Sequence, residues 1–397
     1  MKSKIARFTY FTVIATLFLQ SIGYFTEDIE RIGLEKPRLA LLFYMCTVFN
    51  LLYLINLAMI VKEGKALLII MVSATISLLI SCLIEGGSLV GAYIFITQIL
   101  MARYLSLYSD RVVRSVLIIL VAAIFLSALT AIYNPLVGTT IDNINQQWKG
   151  LLSHKNRLGG LAAFGLLASI MLHREALVVR FVLFAISAIC LLESQSSGAL
   201  IVSLSVIIIY MASLYLKRAV FNYFLLVSVV FTALSITVSD EILSTSLSYF
   251  GRDTTLTGRI PLWNEIFSNG YINLFGYGFN NFWNPQRQSF SLIASAIGWQ
   301  PFYSHNGYIE LMIVFGWPTA LILVAFIMRA FTLSFVLNRH TSESMIILFF
   351  LLYNWSEASM SQYDSPLLIL LFLFVFISRR NIKAHGLKYR EATNVDK

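Results

Sequence analysis

Residues 303–318 read YSHNGYIELMIVFGWP. A histidine and an asparagine stand immediately before an apolar run, at the end of the longest polar stretch of the chain. Whether that run enters a lipid bilayer decides the fold, because in hydrocarbon only helices and closed barrels satisfy their backbone groups. Composition answers the question. Of the 397 residues, 58% are hydrophobic and 12% charged, and mean hydropathy is +0.77. A soluble chain of this length could not bury so much apolar surface, whereas lipid accepts it.

Working outward from 303–318, apolar runs recur near 8–25, 39–61, 66–84, 88–107, 115–133, 159–173, 178–193, 198–216, 220–238, 307–328, 345–359 and 366–378. The alternating ten-residue segments of a barrel are not seen. The chain therefore reads as an all-α polytopic membrane protein of about twelve transmembrane helices, with a large extracytoplasmic loop containing short helices. Its expected divisions are 1–133 (five helices), 134–158 (an outer loop), 159–238 (four helices), 239–306 (the large outer loop), 307–378 (three helices) and 379–397 (a basic tail). The first apolar run starts near Phe8 and lacks a small-residue cleavage site, so it is read as a retained helix. Cys46, Cys82 and Cys190 all lie inside apolar runs without metal-ligand spacing and read as small buried or lipid-facing residues.

The net charge of +9 raises the question of a nucleic-acid partner, but the positions of the charges argue against one. With the N-terminus in the cytoplasm, nine Lys and Arg fall on outer segments: Arg31, Lys36, Arg38, Lys149, Lys155, Arg157, Arg252, Arg259 and Arg287. The other 20 of the 29 fall inside, including the tail RRNIKAHGLKYREATNVDK, which is the positive-inside pattern. An even number of spans then leaves both termini cytoplasmic. The outer cations carry the functional signal, since topology does not require them. Lys149, Lys155 and Arg157 crowd one outer loop, and Arg252 and Arg259 another, which suggests an anionic ligand at the outer surface.

Loop 239–306 is too long to be only a connection. Its stretch TLTGRIPLWNEIFSNG (255–270) predicts a short amphipathic helix, capped by Thr257 or Gly258, with Pro261 in the first turn. Leu262, Ile266 and Trp263 are expected on its membrane-facing side. A first-turn arginine gains nothing from the helix dipole, so Arg259 is read either as solvated or as awaiting a partner, and a phosphate or diphosphate suits its planar fork. Arg252 could pair locally with Asp253, and Lys155 and Arg157 could snorkel to headgroups or bind a ligand. His305 stands at a helix N-terminus, where the dipole disfavours imidazolium, and a neutral imidazole is what a general base requires. Asn306 reads as a cap or a hydroxyl ligand. Glu310, one turn on, would orient His305, bind sugar or satisfy a neighbouring helix.

The chain has no Walker loop, dinucleotide fingerprint, HExxH or GxSxG, and its outer loops carry no DxD. Chemistry that needs no metal or cofactor, with cations stabilising a leaving group, is the expectation that remains. Here the sequence resembles the bacterial O-antigen ligase and polysaccharide polymerase superfamily of membrane glycosyltransferases. The segments that carry the resemblance are HKNRLGG (154–160), LLESQSSGAL (191–200), TLTGRIPLW (255–263), GYGFNNFW (276–283) and SHNGYIELMIVFGWPTALIL (304–323), in that order. It extends over about residues 130–330.

The resemblance implies a glycan donor on undecaprenyl diphosphate at the outer face of the bacterial inner membrane, attacked by an acceptor hydroxyl with inversion and without a metal. The acceptor would be a second lipid-linked glycan or a lipid A core, with membrane lipid around the site and a chain-length regulator as a further partner. His305 falls at the base position and Arg259 at a diphosphate-binding arginine; Arg157, Lys155 and Arg252 compete for a second cation. Asn306, Tyr308, Glu310, Trp263 and Tyr303 are assigned to substrate or acceptor. One departure stands out: ESQSSGAL lacks an arginine that many relatives carry near this position, and has Glu193 and Gln195 instead. The expected activity is polymerisation of O-antigen or exopolysaccharide repeats, with ligation to lipid A core as the alternative. A transporter of lipid-linked oligosaccharides is the rival class, and it should show ionisable residues mid-span or paired broken helices.

Overall fold

The computed structural model describes residues 2–25, 35–54, 65–142, 145–172, 176–248, 259–337 and 341–395. They form α1 (Lys2–Ser21), α2 (Glu35–Leu54), α3 (Lys65–Glu85), α4 (Leu89–Leu105) and α5 (Ser109–Tyr133). After a single turn, Pro135–Gly138, come β1 (Thr139–Asp142) and β2 (Asn145–Trp148), paired antiparallel with Thr139 opposite Trp148. The all-α expectation missed this hairpin, in which β-branched Thr139, Thr140 and Ile141 form one strand. Next are α6 (Lys155–Met171), α7 (Leu177–Glu193), α8 (Ser197–Tyr215) and α9 (Arg218–Ser248). The large loop holds α10 (Arg259–Ser268) and α11 (Gln288–Ile297), followed by α12 (Gly307–Phe315), α13 (Trp317–Leu337), α14 (Ser342–Tyr353) and α15 (Pro366–Val395).

Among the described residues, four helical stretches are long and apolar enough to cross a membrane: Leu89–Tyr108, Arg111–Tyr133, Ser197–Tyr215 and Trp317–Val336. Shorter apolar helices stand beside them, among them Ile5–Ser21, Arg38–Tyr53, Ile69–Glu85, Arg218–Leu234 and Ser342–Tyr353. The axis of the bundle is α15. Every residue from Leu367 to Ile377 is buried, as befits a helix apolar all round, and α1, α4, α13 and α14 pack on it.

The run 307–328, expected as one span, is two helices. Gly316 separates them with φ 75° and ψ 157°, a region open essentially to glycine alone. A Cβ there would lie 2.1 Å from the Leu274 carbonyl oxygen, so the same glycine also admits the loop backbone. The short helix α10 forms where expected, though its caps Thr257 and Gly258 lie outside the described residues. Its apolar face differs from expectation. Leu262 and Ile266 are fully buried, not against lipid but in a small core with Phe282, Ile293, Ile309 and Ile313. Each such buried aliphatic side chain contributes about 2 kcal/mol. That core welds α10 and α11 to α12.

The two ends of the bundle differ. At one end basic side chains close helix termini: Arg380 donates to the carbonyls of Ser106 and Leu107, Arg180 to those of Ser169 and Ile170, and Arg218 to that of Val336. Cations suit carbonyl-rich helix C-termini. The other end gathers the hairpin, the start of α6, α10, α11, the start of α12 and the loop 354–365.

Candidate functional site

The quoted stretch folds around a left-handed histidine. Asn306 is extended (φ −149°, ψ 115°), and its Oδ1 accepts from the N–H groups of Tyr308 (3.0 Å) and Ile309 (3.2 Å), a cap of the expected kind. Gly307 follows because Asn354 presses on it: the Gly307 N–H donates to the Asn354 carbonyl at 2.7 Å, and a Cβ would meet Asn354 Oδ1 at 2.1 Å. Ser304 is held on three sides. Its N–H donates to Glu310 Oε2 (2.7 Å), its carbonyl accepts from Trp263 Nε1 (2.7 Å), and its hydroxyl donates to the Asn306 carbonyl (2.8 Å). Between these fixed neighbours His305 has φ 53°, a conformation that costs a non-glycine residue about 1 kcal/mol. Glu310 and Trp263 thus position the backbone of the histidine loop, and Glu310 also accepts from Trp283 Nε1 at 2.9 Å.

The His305 ring lies against Tyr303, with centroids 4.2 Å apart, and Tyr303 in turn donates its hydroxyl to Glu357 Oε2 at 3.3 Å. The other oxygen of Glu357 receives Asn156 Nδ2 at 2.5 Å and Arg259 at 3.5 Å. His305 and Arg259, 46 positions apart in sequence, therefore converge on one carboxylate neighbourhood. The electrostatics follow. Burial holds the imidazole well below its ordinary range, with help from the charges of Arg259 and His154, so His305 is neutral near pH 7. Burial also pushes Glu357 up to about 7 against the pull of Arg259, Tyr303, Asn156 and Arg157. A histidine and a carboxylate poised this way around a cation are typical of sites that move protons.

Arg157 reaches a second carboxylate on the same loop, with Nη1 2.6 Å and Nη2 3.3 Å from the two oxygens of Asp364. It projects from the first turn of α6, whose cap is His154: the ring Nδ1 accepts the Asn156 N–H at 3.2 Å. Lys155 opens the same helix, one residue before Asn156. Arg252 lies outside the described residues. Tyr308 points away from His305 into the packing, donating to the Leu351 carbonyl at 2.5 Å and facing Trp355. Arg287, also expected outside, clamps the loop to α3 through Glu85 and Asn281. At the ESQSSGAL departure, Gln195 accepts from Gln147 of the hairpin at 3.1 Å.

Asn156, Glu357 and Asp364 escaped the sequence reading. Asp364 stands in the last expected outer connection and Glu357 inside the expected span 345–359; the helix stops at Tyr353 instead, so both lie on the loop 354–365. That loop is a buried polar floor, with Asn354, Ser356, Ser359, Ser361 and Ser365 all inaccessible or nearly so. Irregular backbone at such depth is tolerated where protein satisfies it, and Asn354 does so by accepting the Met360 N–H and donating to Ser359.

Fold and site together define a helical membrane protein with a neutral histidine, arginines, a buried carboxylate and a half-buried one gathered at one end of its bundle. Residues 182–324 match the model of the Wzy_C family, O-Antigen ligase, so that this segment is similar to the O-antigen ligase and polymerase superfamily. The matched segment contains Arg259 and His305; Asn156, Arg157, Glu357 and Asp364 lie outside it. No curated protein matches the chain.

Proposed function

We propose that the protein is a membrane glycosyltransferase of about twelve spans that polymerises O-antigen or exopolysaccharide repeats at the outer face of the bacterial inner membrane. The donor glycan is carried on undecaprenyl diphosphate, and both termini are cytoplasmic. The observation that carries the reading is the convergence of His305 and Arg259 on Tyr303 and Glu357.

The acceptor hydroxyl loses its proton to His305 as its oxygen bonds to the anomeric carbon. The bond from that carbon to the diphosphate oxygen breaks on the opposite side, inverting the centre, and the electron pair leaves with the lipid diphosphate. Arg259, seconded by Arg157, Lys155 or Arg252, stabilises the growing negative charge, so that this step is served by fixed cations without a metal. Arrival of the diphosphate also changes the base. A strongly depressed imidazole is neutral but weakly basic; an anion beside Arg259 offsets one cause of the depression and raises proton affinity when substrate is bound. Glu357 acts through its neighbours, holding Arg259 and the Tyr303 ring in register with His305.

The test compares wild type with His305→Ala and Arg259→Ala, each purified and folded, given lipid-linked repeat units while lipid diphosphate release and glycan length are followed. Release with longer glycans in wild type, lost in both variants, is expected. Release only on adding lipid A core would make the protein a ligase. Lipid movement across liposomes that survives His305→Ala, without glycan transfer, would replace the enzyme by a transporter.

A further inference from the structure

Three tryptophans surround the histidine loop, and their indole N–H groups fare differently. Trp263 donates to the Ser304 carbonyl at 2.7 Å and Trp283 to Glu310 at 2.9 Å. Among the described residues the buried Nε1 of Trp299 has no hydrogen-bond partner, and neither has the Nδ1 of His305. These two rings are neighbours, with centroids 5.8 Å apart and planes inclined by 57°. The other histidine beside the site, His154, uses its Nδ1 as a helix cap. Buried indoles ordinarily find an acceptor, and an unmet buried polar group is costly enough to be rare. Two such atoms on touching rings, one of which belongs to the candidate base, mark a place where a polar group of a ligand can be satisfied.

The chemistry of that group is constrained. Trp299 Nε1 can only donate. In the Nε2–H tautomer of the neutral ring, His305 Nδ1 can only accept. A phosphate oxygen satisfies the indole but offers no proton to the imidazole. An ammonium does the reverse. A hydroxyl does both at once. The surroundings suit a sugar: Trp299 and Tyr303 are half-buried aromatic residues, and Phe302, next to Tyr303, is 77% exposed. Gly298 ends α11 in the left-handed region immediately before Trp299 and sets the turn that brings the indole back over the histidine loop.

We propose that Trp299 and His305 together receive the acceptor sugar, the indole N–H donating to the attacking hydroxyl while that hydroxyl donates to His305 Nδ1. This rests on the glycosyl-transfer reading and gives it an acceptor subsite on the face of His305 turned toward α11. When the oxygen–anomeric carbon bond forms, the hydroxyl proton passes to Nδ1, and the bonding pair between anomeric carbon and diphosphate oxygen leaves with the lipid. Trp299 exchanges no proton; it fixes the nucleophile.

The experiment uses full-length protein in nanodiscs, lipid-linked repeat units from the host cell as donor, and a fluorescent oligosaccharide cut from the same cell's surface polysaccharide as acceptor. Trp299→Phe keeps a ring and removes the donor. It should raise the acceptor KM about ten-fold, the usual cost of one lost hydrogen bond, while the donor KM stays unchanged. Turnover in wild type with an unaltered acceptor KM in Trp299→Phe overturns the subsite and leaves glycosyl transfer standing. No lipid diphosphate release from wild type with any acceptor removes both. Hydrogen exchange on wild type needs no variant: the oligosaccharide should slow exchange of residues 298–306 several-fold. Protection confined to other segments overturns the placement, as does a pair that merely holds a water, which would show neither the KM change nor the protection.

Discussion

Arg259 and Arg287 belong to the same long loop and carry the same charge, yet they are held in different ways. Arg287 is stitched in: Nη1 meets Glu85 at 2.9 Å, Nε meets Asn281 at 2.9 Å, and the guanidinium lies over Tyr277. Arg259 stands 3.5 Å from a carboxylate that is itself raised to about 7 and shared with Asn156 and Tyr303. A close pair with an accessible acid fastens one segment to another. A longer contact with a buried acid that also serves Asn156 and Tyr303 ties the cation into a shared polar cluster beside His305. Position in the sequence marks both arginines as outer cations, and the partner's environment separates them.

The comparison can be broken by experiment. The largest effect belongs to the proton acceptor that Arg259 serves: His305→Ala should lower glycan transfer by about 10²–10⁴-fold, with thermal stability close to wild type, measured as lipid diphosphate release. Arg259→Ala should cost about 10²–10³-fold in rate and little stability. Arg287→Ala should do the opposite, lowering stability by about 1–3 kcal/mol and freeing the loop from α3. Should Arg287→Ala abolish turnover in protein as stable as wild type, the division between fastener and charge stabiliser fails.

Glu357 offers a finer probe. Its folded value, about 7, lies above the ordinary 4.5, so the folded chain binds the proton more tightly than the unfolded chain. The stabilisation is full below about pH 4.5 and is lost as pH rises through about 7, a change on the order of 3 kcal/mol. Glu357→Gln should therefore flatten the fall in melting temperature between pH 5 and pH 8; an unchanged slope would mean that another group titrates. Smallest of the set, Trp263→Phe removes one hydrogen bond to Ser304, worth about 1 kcal/mol, and should lower turnover less than ten-fold by loosening the histidine loop.

What could be seen in the sequence depended on local anomaly. His305 and Arg259 each break a local expectation, one as a histidine at a polar–apolar boundary and the other as a cation in a first helical turn, so both could be picked out unaided. The Asn306 cap and the apolar spacing of Leu262 and Ile266 are equally local and were foreseen. What that spacing faces is not local, which is why lipid was expected where Phe282, Ile293 and Ile313 stand. Glu357, near the end of the expected span 345–359, reads within YNWSEASM as a polar helix end and points to no partner. Its importance comes from Asn156, 201 positions away, and from burial that only the packed bundle supplies. The break at Gly316 was hidden for a related reason, since FGWP within a hydrophobic run fits a continuous span until the Leu274 backbone is known to press on it.

That break has a mechanical consequence. The hydrogen-bond ladder of α13 does not run into α12, and α12 is tied at its start to Asn354 and along its side to Leu262 and Ile266. Long apolar helices tilt to match the thickness of the lipid around them. With the ladder interrupted at Gly316, α12 keeps the direction set by Asn354, Leu262 and Ile266, while α13 starts afresh from a Trp317 N–H held by the Asn273 carbonyl at 3.1 Å, so the two helices need not share one axis.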